Sequence, residues 1–120
     1  MIRRDPVGIV GSIAPWNYPL MMAAWKLAPS LAGGNTIVIK PSEQTPLTTL
    51  KLARIIADIL PAGVVNVVIG RGETVGSALI NHPKVAMISL AATSRPARRF
   101  SSRPPNRSNG RISNSAARRR

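Results

Sequence analysis

Ile13-Ala14-Pro15-Trp16-Asn17-Tyr18-Pro19, and further on Thr36-Ile37-Val38-Ile39-Lys40-Pro41-Ser42-Glu43, decide how this chain is read. Two polar clusters, Trp16-Asn17 and Lys40 to Glu43, each follow a short run rich in β-branched residues. If both runs are strands of one parallel sheet, both clusters leave it at the same edge, the carboxyl ends of neighbouring strands. Open α/β sheets bind their ligands at that edge.

The rest of the chain fits such a sheet. Val7 to Ala14 is a strand candidate broken by Gly8 and Gly11, and Pro15 and Pro19 bracket a turn. Leu20 to Ala32 is built mostly of helix formers, with Pro29 expected to end or kink the helix and Gly33-Gly34 to stop it. Thr36 to Ile39 reads as a strand buried on both faces. Pro41 to Pro46 is a turn, with Thr45 expected as N-cap and Pro46 as the first helical residue. Leu47, Leu50, Leu52, Ala53, Ile56 and Leu60 then form a helical stripe. Val64 to Ile69 is a third strand, Val75 to Asn81 a short helix, and Val85 to Leu90 a further strand. Strands alternating with helices predict an α/β fold with a parallel sheet and right-handed crossovers.

The 120 residues suffice for one domain with a modest core. There is no cysteine, hence no disulfide framework and no thiol chemistry. No apolar run reaches membrane-spanning length, and the basic start reads better as the approach to a strand than as a signal peptide. A cytoplasmic protein without membrane partners is expected. The net charge of +13 is unevenly spread. Residues 1–90 hold eight Lys or Arg against four Asp or Glu, whereas residues 91–120 hold nine Arg and no acid.

Ile13 to Pro19, followed by Trp25-Lys26-Leu27-Ala28-Pro29 and Lys40-Pro41-Ser42-Glu43, resembles the NAD(P)-dependent aldehyde dehydrogenase superfamily. The wording of Tyr18 to Lys26 is closest to its γ-aminobutyraldehyde and betaine-aldehyde branch. The resemblance covers roughly residues 2–90. It implies a partial, Rossmann-like cofactor-binding domain, an aldehyde as substrate, NAD as cofactor and a homo-oligomeric whole enzyme.

Each candidate residue has a chemical reading and a plainer one. Lys40, directly after an apolar strand, is expected to project beyond the sheet edge and offer its ammonium to ribose hydroxyls; the plainer reading is a solvated strand-end lysine. Glu43 can accept from a ribose diol and would repel a 2′-phosphate, or simply be an acid near a helix N-terminus. Ser42 is a weaker third contact and a natural turn residue. Asn17 is the catalytic candidate. An amide N–H held near a developing alkoxide is worth about 3 kcal/mol, while the bland alternative is an Asn stabilising a turn between prolines. The resemblance assigns the oxyanion role to Asn17 and the adenosine ribose to Lys40. It places Ala14, Pro15 and Trp16 along the cofactor cleft, where packing is the plainer role, and Trp25 reads as packing alone. Gly70, Gly72 and Gly76 do not match the usual dinucleotide spacing, yet the resemblance sets Gly72 and Gly76 beside the adenine. His82 has neither metal-ligand nor triad partners in the sequence.

The resembled enzymes oxidise the aldehyde through a cysteine thiohemiacetal, pass hydride to NAD and hydrolyse the thioester with a glutamate base. That cysteine, the Glu-Leu-Gly-Gly-Lys-Ala-Pro motif holding the base, and the Thr-Gly-Ser expected after Leu90 are all lacking; Ala91-Ala92-Thr93 follows instead. Residues 91–120 carry no core-forming pattern and are expected to be a disordered, Arg-rich tail. They also suit a GC-rich message read out of frame. Thr93 to Ser101 can be encoded ACA TCG CGA CCG GCA AGA AGG TTC TCA. Read from the preceding G, this becomes Asp-Ile-Ala-Thr-Gly-Lys-Lys-Val-Leu. Continued through Arg120, the same frame permits Glu-Leu-Gly-Gly-Lys-Ala-Pro, its glutamate codon overlapping Asn114. A frameshift near Ala91 follows, leaving an inactive fragment. The rival readings are a non-specific nucleic-acid binder acting through the tail arginines and a small stand-alone nucleotide-binding module. Phe100 alone gives poor base stacking, and a truncated sheet leaves apolar surface exposed.

Overall fold

The structure, a computed structural model, describes residues 5–91 and 112–114. Its strands are β1 (Ile9–Ile13), β2 (Thr36–Lys40), β3 (Val65–Val67), β4 (Val85–Leu90) and β5 (Ile112–Asn114). All pair in parallel, in the order β3-β2-β1-β4-β5. Helix α1 (Pro19–Ala32) joins β1 to β2, and α2 (Leu47–Ala57) joins β2 to β3. A π-helical turn, Gly72–Gly76, runs into the short α3 (Ser77–Asn81) before β4. From β1 the chain moves outward to β3 and then returns to the other side of β1. Right-handed crossovers in opposite directions put their helices on opposite faces.

The core divides accordingly. On one face Leu27 and Leu31 of α1 and Leu52 and Ile56 of α2 pack with Val10, Ile37, Val65 and Met87. On the other, Leu79 and Ile80 of α3 pack with Ile9, Ile13, Val38, Val85, Ile88 and Leu90. Ile37 and Ile39 are wholly buried; each such side chain contributes about 1.5–3 kcal/mol through removal from water. Gly11 of β1 sits where α3 and β4 close in: a Cβ there would lie 2.7 Å from Ile88 Cδ1 and 3.1 Å from Leu79 Cγ.

The predicted strands and helices are present within a few residues, and three local expectations need correction. Pro29 does not end α1, which continues to Ala32. The carbonyl deprived of a donor belongs to Trp25, on the exposed side of the helix, where water can serve it. Trp25 itself is 65% exposed rather than packed in the core. Thr45 is not an N-cap: α2 starts at Leu47 behind Pro46 with no side-chain cap. Most of the expected disordered tail lies outside the described residues. Within it, Ile112–Asn114 pairs with Ile88–Leu90, supplying backbone partners to the edge of β4.

Candidate functional site

The carboxyl edge of the sheet gathers the expected residues. Register sets Ile13 beside Lys40 on one side and Leu90 on the other. The Ala14 amide donates to Lys40 O at 2.9 Å, and the Ala91 amide to Ile13 O at 3.3 Å. Ala14 is buried, and the chain then turns out through Pro15, Trp16 and Asn17. Trp16 is 60% exposed and Asn17 is exposed. Tyr18 takes the left-handed conformation (φ 49, ψ 53) immediately before Pro19, which opens α1. That conformation is costly for an aromatic residue and turns the chain directly into the helix that Pro19 opens.

The second loop leaves β2 beside the first. Thr45 Oγ1 donates to Trp16 O at 3.3 Å, tying the two loops together. Ser42 acts as a turn residue: its hydroxyl accepts from the Gln44 amide, and its carbonyl from the Thr45 amide. Lys40 does not project past the edge as expected. It is 2% exposed, with Nζ folded onto Pro41 O at 3.1 Å and Glu43 Oε2 at 3.3 Å. Its stem passes under Gly76, whose hypothetical Cβ would lie 3.9 Å from Lys40 Cδ and 3.5 Å from Ile13 Cδ1. Gly76 is buried, whereas a Cβ at Gly72 would meet nothing within 4 Å. Glu43 is half exposed. A hydrogen bond from its own main chain outweighs the opposing effect of burial and, with Lys40 and then the charge of Arg71, holds its carboxyl below the usual range. With no acid in the first turn of α2, Glu43 is not a helix-terminal acid.

Lys26 was missed as a structural element. It is 5% exposed, and its Nζ donates to Ser89 O at 3.2 Å and Ser89 Oγ at 2.9 Å. Burial pushes it down to about 8. Ser12 lies beside Ser89 in register and is fully buried, its Oγ without a hydrogen-bond partner. The signal was present: Ala23, Lys26, Leu27 and Ser30 fall on one helical face, and all are buried. Lys26 and Lys40 thus occupy opposite faces of the sheet, near the carboxyl ends of β4 and β2.

The donor set fits a ribose diol. Lys40 has three N–H donors and two protein acceptors, and beside it stands an ionised, half-exposed carboxylate that can accept from hydroxyls. Asn17 supplies an exposed amide on the neighbouring strand end. An apolar recess of about 290 Å³ lies under α3, lined by Ile9, Val38, Val75, Leu79 and Val85 among others, away from this edge. Among the described residues there is no cluster of metal-ligating side chains, and no helix is long and apolar enough to cross a membrane.

A family model described as the aldehyde dehydrogenase family matches residues 1–110. A phenylacetaldehyde dehydrogenase of Pseudomonas fluorescens is 58% identical over 92 residues, 76% of this chain and 18% of that protein. The structure of PnpE in complex with nicotinamide adenine dinucleotide superposes with a TM-score of 0.85 at 47% identity, over 92% of this chain and 23% of that one. Betaine aldehyde dehydrogenase from Staphylococcus aureus, in complex with NAD+, gives 0.77 at 40% identity, over 80% and 19%. The chain therefore spans about 18% of the length of the curated relatives it matches.

Proposed function

Because the chain belongs to the aldehyde dehydrogenase family, we propose that it carries the adenosine half of an NAD cleft and the oxyanion donor of an enzyme oxidising an aldehyde to its carboxylate. The observation that carries this reading is the joining of two loops at one sheet edge: Ala14 to Asn17 and Lys40 to Glu43, held by Ala14 N to Lys40 O and Thr45 Oγ1 to Trp16 O. Lys40 and Glu43 would hold the ribose as donor and acceptor, with Gly76 letting the chain pass close above. Ala14, Pro15, Trp16, Ser42 and Gly72 would border the same cleft. Bound NAD would supply the hydride acceptor. Asn17 would donate its side-chain N–H to the oxygen on which negative charge builds, an interaction worth about 3 kcal/mol when preorganised. The wording of Tyr18 to Lys26 favours an aminoaldehyde as the substrate.

Alone, the chain should not turn over, since it has no cysteine to act as nucleophile. The test is twofold. The purified protein should produce no aldehyde-dependent NADH, and its weak NAD binding should vanish in Lys40→Ala. Turnover above a protein-free control, or low-micromolar NAD binding indifferent to Lys40→Ala, would contradict the assignment.

Residues 91–120 are taken here as the out-of-frame reading of the same gene. The alternative frame places its glutamate codon across Asn114.

A further inference from the structure

The buried ammonium of α1 has a hydroxyl nucleophile in reach. Lys26 Nζ lies 2.9 Å from Ser89 Oγ and 3.2 Å from Ser89 O. The carbonyl oxygen can only accept, so it holds one N–H and aims the amine. The hydroxyl can accept or donate. Toward an ammonium, Ser89 Oγ accepts; toward a neutral amine, the same 2.9 Å contact lets the hydroxyl donate to the nitrogen lone pair. A general base reaches the proton it removes at this distance.

The surroundings favour the neutral amine. Lys26 is 5% exposed, and burial brings its pKa down to about 8. The elements packed around it bring no carboxylate. Helix α1 has no other charged residue, and β1 and β4 have none. Helix α2 contributes Lys51 and Arg54, both exposed, and Lys40 of β2 lies on the other face of the sheet. Ser89 is partly exposed, whereas Lys26 is not, so only a small reagent can meet the pair. Ser12 stands beside Ser89 in register, and both side chains leave the sheet toward α1. The Ser12 hydroxyl is fully buried without a hydrogen-bond partner, which leaves its O–H uncommitted next to the pair.

We propose that Ser89 and Lys26 form a nucleophile–base pair that takes a short acyl group from a reactive acyl donor, with Ser12 donating to the oxygen on which charge builds. The Ser89 proton passes to Lys26 Nζ as Oγ bonds to the carbonyl carbon and the carbonyl electron pair moves onto oxygen. Collapse re-forms the carbonyl and breaks the bond to the leaving group, which departs with that electron pair. The acyl group stays on Ser89 as an ester, and Lys26 gives its proton to the leaving group or to water. The pair lies on the α1 face of the sheet, away from Lys40 and Glu43, and needs no nucleotide.

The experiment uses the full chain and p-nitrophenyl acetate, with acetylated residues located by peptide mass spectrometry. The wild-type chain should gain an acetyl group on Ser89 as p-nitrophenolate is released, at a rate that rises with pH and levels off above about 8. Surface amines acetylate too, and alike in every variant. Lys26→Arg keeps a cation that cannot act as base, and Lys26→Met removes the nitrogen; each should slow acetylation of Ser89 at least about tenfold. Ser89→Ala should leave the amine background alone, and Ser12→Ala should slow Ser89 about tenfold. Acetyl groups on amines only, acetylation of Ser89 at the wild-type rate in both Lys26 variants, or a rate that climbs with hydroxide without a plateau overturns the proposal. An unchanged rate in Ser12→Ala overturns the donor role of Ser12. Locating the acetyl group in the wild-type chain decides the matter even where a variant fails to fold.

Discussion

Lys26 of α1 and Ser89 of β4, 63 residues apart in sequence, are joined by two hydrogen bonds from one buried ammonium. The bonds run across the sheet face on which α1 packs, and they fix the helix behind Asn17 to the strand that ends at Leu90. The arrangement has a cost, because an ammonium there has left water and two uncharged oxygens of one serine replace it.

This cost should be visible in the pH dependence of stability. Burial lowers Lys26 from 10.5 to about 8, so between those values the unfolded chain holds more protons than the folded one. Stability should therefore rise with pH across that window and level off below about 8, where both states hold the proton. In Lys26→Met this rise should disappear, a difference of at most about 3 kcal/mol. Chemical denaturation of both proteins at pH 7, 9 and 10.5 measures it; parallel curves would remove the buried-ammonium assignment.

Gly11 tests the close packing of α3 on the sheet. The new methyl of Gly11→Ala meets Ile88 Cδ1, Leu79 Cγ and Val85 Cγ1 at 2.7 to 3.1 Å. The isoleucine tip can rotate away, but the branch point of Leu79 and the methyl of the stiff, β-branched Val85 are less free. A loss of about 1–3 kcal/mol is expected in urea unfolding. Ile88→Val in the same background should recover part of it, since it removes the nearest methyl.

The Thr45 hydroxyl should matter to local order more than to stability. Thr45→Val removes one solvent-exposed hydrogen bond to Trp16 O, so global stability should change by less than about 1 kcal/mol. Amide exchange at Trp16 and Asn17 should accelerate, and nucleotide binding at Lys40 should weaken. Unchanged exchange would show that the two loops are held by the strands alone.

The tail should behave as charge without structure-specific recognition. Its nine arginines should bind duplex DNA of any sequence at low salt, with affinity falling steeply between about 50 and 200 mM salt. Footprinting that finds one protected sequence at physiological salt would make the tail a selected nucleic-acid arm.

The coding DNA offers the most direct check. A frame one base out of register should open near the Leu90 codon and run past Arg120. It should encode Gly-Asp-Ile-Ala-Thr-Gly at once, Glu-Leu-Gly-Gly-Lys-Ala-Pro about two dozen residues later and a cysteine-containing motif beyond. Sequencing that finds stops there would end the frameshift reading.

The parts legible in the sequence were those set by neighbouring residues. The continuous apolar run of β2 announced a strand buried on both faces, and the polar residues behind it announced the edge. What escaped was settled by distant partners. Nothing near Lys26 names Ser89, and nothing near Thr45 names Trp16, so a buried lysine and an inter-loop tie could not be read locally. Lys40 misled because its position pointed outward, while a flexible four-carbon stem let it turn back to Pro41 O and Glu43. Pro29 did not stop the helix as its residue type suggested: the carbonyl it leaves without a donor is that of Trp25, which faces outward where water can serve it.

The strand order also sets a sequence in time. β1 meets β2 across 27 residues, Ile9 to Thr36, and β2 meets β3 across 28, Ile37 to Val65. By contrast, β1 waits for β4 across 77, Ile13 to Leu90. Short closures are entropically cheaper and tend to come first. As the chain leaves the ribosome, Lys40, Glu43, Thr45 and Trp16 can therefore meet before Leu90 exists. The Lys40 side of the edge would then be in place early, and the seam between β1 and β4, which Lys26 closes onto Ser89, would be the last part of it to form.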